Sequence, residues 1–416
     1  MDEQEIPDPH FSNLELFNLE KANAPIPQFV HALNLAGVDV DASKISKSLT
    51  YRAIKAKNGD SVVVLLTTDL PETSYNEGGI PLLVYMPNIK TGKYGWGVAW
   101  LKDVGSLHGI LMGALINSAE EMDLNDRIGI FTNNFNMATI PYSSIDVPRD
   151  IMDGQTKYRL SRIAKEDLRE IMWFALGSAA DARVFEYRDE AVAFVNNEMD
   201  EIVRKYGNRI TIANILNELN PTASRPSYRM WRTFGDDYLI SIYQHAREIL
   251  PNAKLIYNET YNYTKTHEGT TYPYTVKVVN ALKPHNLIDA VGMQMHMAQN
   301  IWALETPIDV DETVDIMRSF GLPVYVTELD VNQTPMTGTE QEKLIQQADI
   351  YEKIVRACVR SQVCELINFW GQTDPWSWYE NPLGELNAEA CIFDDDCAPK
   401  LAYYAVLRGL MEGFVP

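Results

Sequence analysis

Long apolar runs are missing from this sequence. No stretch approaches the roughly 18 consecutive apolar residues of a transmembrane helix, so no membrane span is expected. Basic residues are scarce as well: 36 Lys and Arg stand against 57 Asp and Glu in 416 residues, a formal net charge of −21. Binding nucleic acid or an anionic membrane requires Lys and Arg to neutralise phosphates, so this balance argues against both partners. Cysteines number four and histidines seven, with no C-x-x-C pair and no His/Cys cluster at zinc spacing. Neither a metal nor a cofactor is expected. The start, MDEQEIPDPHF, has no apolar stretch behind a basic one and does not read as a secretory signal. An extracellular or periplasmic location, reached through a signal removed ahead of Met1, is the expectation.

Apolar residues, by contrast, are plentiful at 46%, and their arrangement changes along the chain. Up to about residue 103, β-branched runs (SVVVLLTT, GIPLLVYM, GWGVAWL) alternate with turn signals such as NGD, NEGG and NIKTGKYG. Residues 46–103 therefore read as a small antiparallel β unit, preceded by a short helix in IPQFVHALNLAGV. From Leu107 onward, strand-length apolar runs alternate with helix-length amphipathic stretches. The strands are HGILMGALI (108–116), FNMATI (135–140), EIMWFALG (170–177), ITIANILNE (210–218), AKLIYNE (253–259), IDAVGMQMH (288–296), PVYVTEL (323–329) and CELINFWG (364–371). Helices are predicted over 191–206, 236–250 and 346–360. Successive apolar positions without polar alternation imply strands buried on both faces, as parallel sheets require. Eight such units predict an α/β fold, a (β/α)₈ TIM barrel over 105–416, with residues 1–104 as a β-rich extension. A doubly wound open sheet is the structural alternative, but no Gly-rich phosphate loop follows the first strand.

Two runs, NILNELN and VYVTELDV, end buried strands in Glu218 and Glu328. Barrel active sites are built at strand C-terminal ends, so both glutamates are expected to face one pocket. Such a pair suits glycosidic bond cleavage. Glu328 would attack to form an ester, and Glu218, protonated at rest because of burial and the nearby Glu328 charge, would protonate the leaving oxygen. Asn217 offers an amide to a sugar hydroxyl. Gln294 and His296, two positions apart, point the same way along their strand. Trp370, Trp376 and Trp378 offer ring faces to pyranose C–H groups. The expected partner is thus a polysaccharide or oligosaccharide. Cys358/Cys364 and Cys391/Cys397 share one spacing, compatible with two local disulfides or four thiols.

These motifs, in this order, resemble glycoside hydrolase family 10, the family of retaining β-1,4-xylanases. ILNELN stands where that family has Val-Val-Asn-Glu, its acid/base motif. VYVTELDV is close to its Ile-Thr-Glu-Leu-Asp nucleophile motif, VGMQMHM to Gly-x-Gln-x-His, and FWGQTDPWSW to Trp-Gly-x-x-Asp-x-x-Ser-Trp. YLISIYQHAREILPNAKLIYNETYN and CIFDDDCAPKLAYYAV are also similar to family segments. The likeness runs from about Leu107 to the C-terminus and is strong from Ile210. It implies that His296 bonds the nucleophile and orients it.

The first three strands depart from the family. Where it carries Glu-Asn-x-x-Lys, this chain has TIPYSSID, with Pro141, Tyr142 and Ile145 near those places; strand three, REIMWFALG, has no histidine. Both missing segments bind glycone-side xylose units in the family. Tyr142, Trp173 and Phe174 would form an aromatic wall instead. The expected activity is therefore a retaining glycoside hydrolase on β-1,4-xylan or a related β-glycan. The alternatives are a retaining β-glycosidase on a substituted or non-xylan glycoside, and a barrel that binds carbohydrate without efficient turnover. An unrelated aldolase- or enolase-like barrel would need a metal or a Schiff-base lysine, and no Lys is expected near the strand ends after Glu218.

Overall fold

The computed structural model describes residues 100–116, 130–140 except 132, 185–298 except 224, 307–379 and 388–411, together with the backbone of five further strands. Four of these, β1 (Leu49–Lys55), β2 (Val62–Thr68), β3 (Ile80–Pro87) and β4 (Tyr94–Val98), form an antiparallel sheet in sequential order. The helix expected in IPQFVHALNLAGV lies outside the described residues. Helix α1 (Leu101–Leu107) follows β4, and the division expected at 104/105 falls inside it.

Eight parallel strands then close on themselves. They are β5 (Leu111–Leu115), β6 (Met137–Ile140), β7 (Glu170–Trp173), β8 (Ile212–Asn217), β9 (Lys254–Glu259), β10 (Ala290–Met293), β12 (Val324–Val331) and β13 (Cys364–Phe369). Each pairs with the next, β10 bonds β12, and β13 returns to β5. A two-residue strand, β11 (His296–Met297), extends the far end of β12 through His296↔Asp330. All eight expected strands are present in their expected order, so the fold is a (β/α)₈ barrel. Four start two or three residues later than expected; 108–110, 210–211 and 288–289, for instance, are still turning into the sheet.

The bore is filled in layers. At the bottom, Met137, Ile212, Ile256, Ala290, Tyr325 and Leu366 meet, with Leu111 against them. Above lies a polar layer: Thr139 Oγ1 donates to Asn368 Oδ1 at 2.9 Å, and Thr327 Oγ1 to Asn258 Oδ1 at 2.6 Å. Glycine makes room for these amides, since a Cβ on Gly113 or Gly292 would collide with Asn368 or Asn258 respectively.

Outside, the helices cover the strands with apolar stripes at helical spacing. In α2 (Arg188–Tyr206) the buried stripe is Ala191, Val195, Met199, Ile202 and Tyr206, while Phe194 is half-buried. Each fully buried Leu, Ile or Met on such faces stabilises the fold by about 1.5–3 kcal/mol. Four more helices follow: α3 (Pro226–Phe234), α4 (Asp236–Ile249), α5 (Tyr272–Leu282) and α6 (Val310–Ser319). Helix α7 (Glu340–Ser361) starts six residues before the expected 346. A capping box fixes that start: Thr339 accepts from Glu342 N, and the Glu342 carboxylate accepts from Thr339 N. Helix α8 (Leu401–Leu410) closes the barrel.

Candidate active site

Asn214 and Asn217 are three residues apart on β8, where strict alternation would send them to opposite faces. A bulge at Ile215 removes the conflict: Asn214 pairs with Ile256, yet Leu216 already pairs with Tyr257. Both amides consequently meet in the bore, Asn214 Nδ2 donating to Asn217 Oδ1 at 3.2 Å. The next residue, Glu218, has φ 54°, a left-handed conformation that costs a non-glycine residue about 1–3 kcal/mol. That turn keeps Glu218 beside Asn217 instead of behind it. Glu218 N donates to Asn258 O and Leu219 N to the Tyr257 hydroxyl, both at 3.0 Å, which holds the conformation.

Three N–H groups converge on the Glu218 carboxylate. Asn217 Nδ2 and Gln294 Nε2 donate to Oε1, each at 3.0 Å, and Arg225 Nε donates to Oε2 at 2.8 Å. Burial pushes the Glu218 carboxyl up, but the Arg225 hydrogen bond and charge, aided by Gln294 and His296, bring it below the ordinary value.

Glu328, on β12, is buried. Asn258 Nδ2 donates both to Glu328 Oε1 (2.6 Å) and to Asn217 Oδ1 (3.0 Å), so an amide chain joins the two carboxylates. On the other side His296 Nε2 lies 3.1 Å from Glu328 Oε2 and Nδ1 2.9 Å from Asp330 Oδ2. Two carboxylates facing both ring nitrogens require a proton on each, an imidazolium. Burial lowers the His296 pKa, but Asp330 and Glu328 outweigh it and push it up to about 10. Glu328 itself is raised by its burial, against the pull of His296. With Arg225 on Oε2 the expected order of the two glutamates is inverted: Glu218 is held below the ordinary carboxylate value and Glu328 above it. The residue that inverts it is Arg225.

Gln294 and His296 both reach the site, although the strand between them breaks at Met295, whose φ is 59°. Trp378 Nε1 donates to Asp330 Oδ2 at 2.7 Å, and its ring lies 5.0 Å from the His296 ring. Trp370 is buried with its ring edge-on to His296 at 6.0 Å. Trp376, in the 3-10 turn Asp374–Trp376 that leaves β13, is half-buried. Tyr142, Pro141, Ile145 and Phe174 lie outside the described residues, and Trp173 is described in its backbone alone.

A Cys358–Cys364 disulfide ties the end of α7 to the start of β13, the strand that leads to Trp370. The second pair does not bridge: Cys391 and Cys397 are both thiols. They sit in a hairpin whose register pairs Phe393 with Pro399, which places the two cysteines out of step with each other. Among the described residues no His/Cys/Asp/Glu group is arranged to hold a metal, and no helix is long and apolar enough to cross a membrane. A lysine does reach this end of the barrel, contrary to expectation. Lys400 Nζ donates to Asp374 Oδ2 (2.8 Å) and Glu389 O (2.7 Å), a buried ion pair with its ammonium committed.

Sequence reasoning gave Asn258, Glu259 and Asp330 no role, and missed Arg225. Glu259 is fully buried, accepting from Asn220 Nδ2 (2.7 Å), Thr260 N (2.9 Å) and the Tyr257 hydroxyl. Burial raises its carboxyl to about 8. Asn220 Oδ1 accepts from Thr222 N and Ala223 N, so Glu259 anchors the turn that leads from Glu218 to Arg225.

The family model described as "Glycosyl hydrolase family 10" matches residues 173–409. Endo-1,4-beta-xylanase B of Thermotoga neapolitana is 28% identical over 226 residues, covering 54% of this chain and 63% of that relative. An endo-1,4-beta-xylanase of Agaricus bisporus is 29% identical over 223 residues, covering 52% and 63%. The chain thus spans less than two thirds of the length of these curated relatives. Among solved structures, native xylanase 10B from Thermotoga maritima superposes with a TM-score of 0.62 at 20% identity, over 75% of this chain and 98% of the other. Xylanase 10B from Thermotoga petrophila, in complex with xylobiose, gives 0.62 at 22% identity, over 75% and 97%. At such identities the superpositions establish the fold.

Proposed function

Because the chain belongs to glycosyl hydrolase family 10, we propose that it hydrolyses β-1,4-linked xylan or a related β-glycan with retention of anomeric configuration. Glu328 attacks the anomeric carbon while Glu218 protonates the departing oxygen; a glycosyl ester forms on Glu328. Water, deprotonated by Glu218, then releases the sugar and restores Glu328. The His296 imidazolium fixes the Glu328 oxygen that is not attacking and is itself steadied by Asp330. Trp370 and Trp378 flank His296 and supply apolar surface for a pyranose ring.

The observation that carries this reading is the chain Glu218–Asn217–Asn258–Glu328–His296–Asp330, which holds two carboxylates at one mouth of the barrel. Proton NMR of the first-formed sugar tests it. The product is expected to carry the substrate's anomer; an inverted first product would make Glu328 a base for water instead of a nucleophile. A barrel that binds glycan without turnover would bind oligosaccharides and release no reducing ends.

A further inference from the structure

Glu218 accepts hydrogen bonds on both oxygens, and the two oxygens differ. Oε1 takes amide donors built into the barrel: Asn217 on β8, and Gln294 just after β10. The Asn217 amide is itself pinned through its Oδ1 by Asn214 and Asn258. Oε1 is therefore committed to accepting, and a transferable proton has to sit on Oε2. Arg225 Nε donates to that oxygen at 2.8 Å. A guanidinium cannot relay a proton at any working pH, and its hydrogen bond and positive charge at Oε2 oppose a proton there.

From these contacts we propose that Arg225 is a latch on the proton donor: it occupies the Glu218 oxygen that must deliver the proton, and substrate binding has to swing it aside before glycosyl transfer. This inference rests on the glycoside hydrolase reading. The partner that moves is legible in the exposures, 47% for the Arg225 side chain against 16% for Glu218. The Arg225 backbone is extended (φ −62°, ψ 146°), as the residue before a proline must be, so the motion is confined to the side chain. Its side chain makes no cap bond to α3, so replacing it removes no helix cap.

The charges around Glu218 decide what release does. Arg225 faces it from the turn before α3, His296 from β11, Glu259 from β9 and Glu328 from β12. His296 lies between Glu328 and Asp330, which balance its charge. With Arg225 withdrawn, burial and the neighbouring carboxylates dominate, and both favour a protonated Glu218. Arg225 is thus a positioning residue whose departure converts a resting carboxylate into an acid.

The test reads the carboxyl directly and turnover separately. The Glu218 side-chain carbon is followed by ¹³C NMR in wild type, Arg225→Leu and Arg225→Lys, with Glu218→Gln assigning the resonance. In parallel, kcat/KM for a glycoside with a poor leaving group is measured against pH. Arg225→Leu is expected to titrate Glu218 at higher pH than wild type, and to gain roughly tenfold in kcat/KM on the alkaline side with no gain on the acid side. Arg225→Lys, which keeps a cation, is expected to stay near wild type. A moved carboxyl titration without turnover in any variant would uphold the Arg225 hold on Glu218 but sink the hydrolase reading, and with it the release for glycosyl transfer. Turnover with an unmoved Glu218 titration in Arg225→Leu would overturn the latch.

Discussion

At the scale of single residues, the site gives Glu218 and Glu328 different neighbours, and the proposed roles separate by leaving group. Glu328→Ala is expected to abolish turnover of every glycoside, since no ester can form. Glu218→Ala is expected to spare a dinitrophenyl glycoside and slow poorer leaving groups by about 10²–10⁴. Equal losses across the whole series would remove the acid/base assignment. Glu259 carries a second prediction. Its pKa in the fold is about 8 against an ordinary 4.5. A raised folded pKa contributes stability that is complete below about 4.5 and is lost as pH climbs through about 8, on the order of 5 kcal/mol. Glu259→Gln stays neutral, so its melting temperature should fall less than wild type between pH 5 and 9. Parallel melting curves would show that Glu259 is not a proton-bearing residue. Glu218, Glu328, Asn217, Gln294 and His296 were legible in the sequence because each is a polar residue ending or interrupting an apolar run of strand length. Arg225 was not, because nothing in the spacing of a turn tells which way an exposed guanidinium folds back.

At the scale of elements, periodicity recovered what repeats and missed what is irregular. The eight strands and three long helices follow from apolar spacing, and α4 (236–249) stops one residue short of the expected 250. The bulge at Ile215 and the left-handed turns at Glu218 and Met295 break that spacing. These irregularities are what bring Asn214, Asn217 and Glu218 into one bore and let Gln294 and His296 share it. The Cys358–Cys364 bridge spans a sequence separation of 6, and a loop that short constrains the unfolded chain by about 2 kcal/mol. The double variant Cys358→Ala/Cys364→Ala should lose roughly that much in denaturant unfolding. A wild-type midpoint unchanged by reductant would count against the bridge.

At the scale of the whole molecule, the described site is carried by the fourth to eighth barrel strands, whereas the departures from the family lie in the segments of the second and third. Pro141, Tyr142 and Ile145 stand near the family's Glu-Asn-x-x-Lys, and strand three has no histidine. Each missing charged contact would cost about 1.5–3 kcal/mol if the same sugar were bound. Unsubstituted linear xylan is therefore expected to be a poor substrate beside a decorated or different β-glycan. Rapid release of xylobiose and xylotriose from linear xylan would restore ordinary xylanase specificity.

The polar layer in the bore bears on how such a molecule can change. A methyl group at Gly292 would meet Asn258, whose amide bonds both Asn217 and Glu328. One added carbon would therefore disturb the amide that joins both carboxylates. Substitutions at Gly292, Asn258, Asn217 and Glu328 are therefore coupled, and a change at one calls for a change at another.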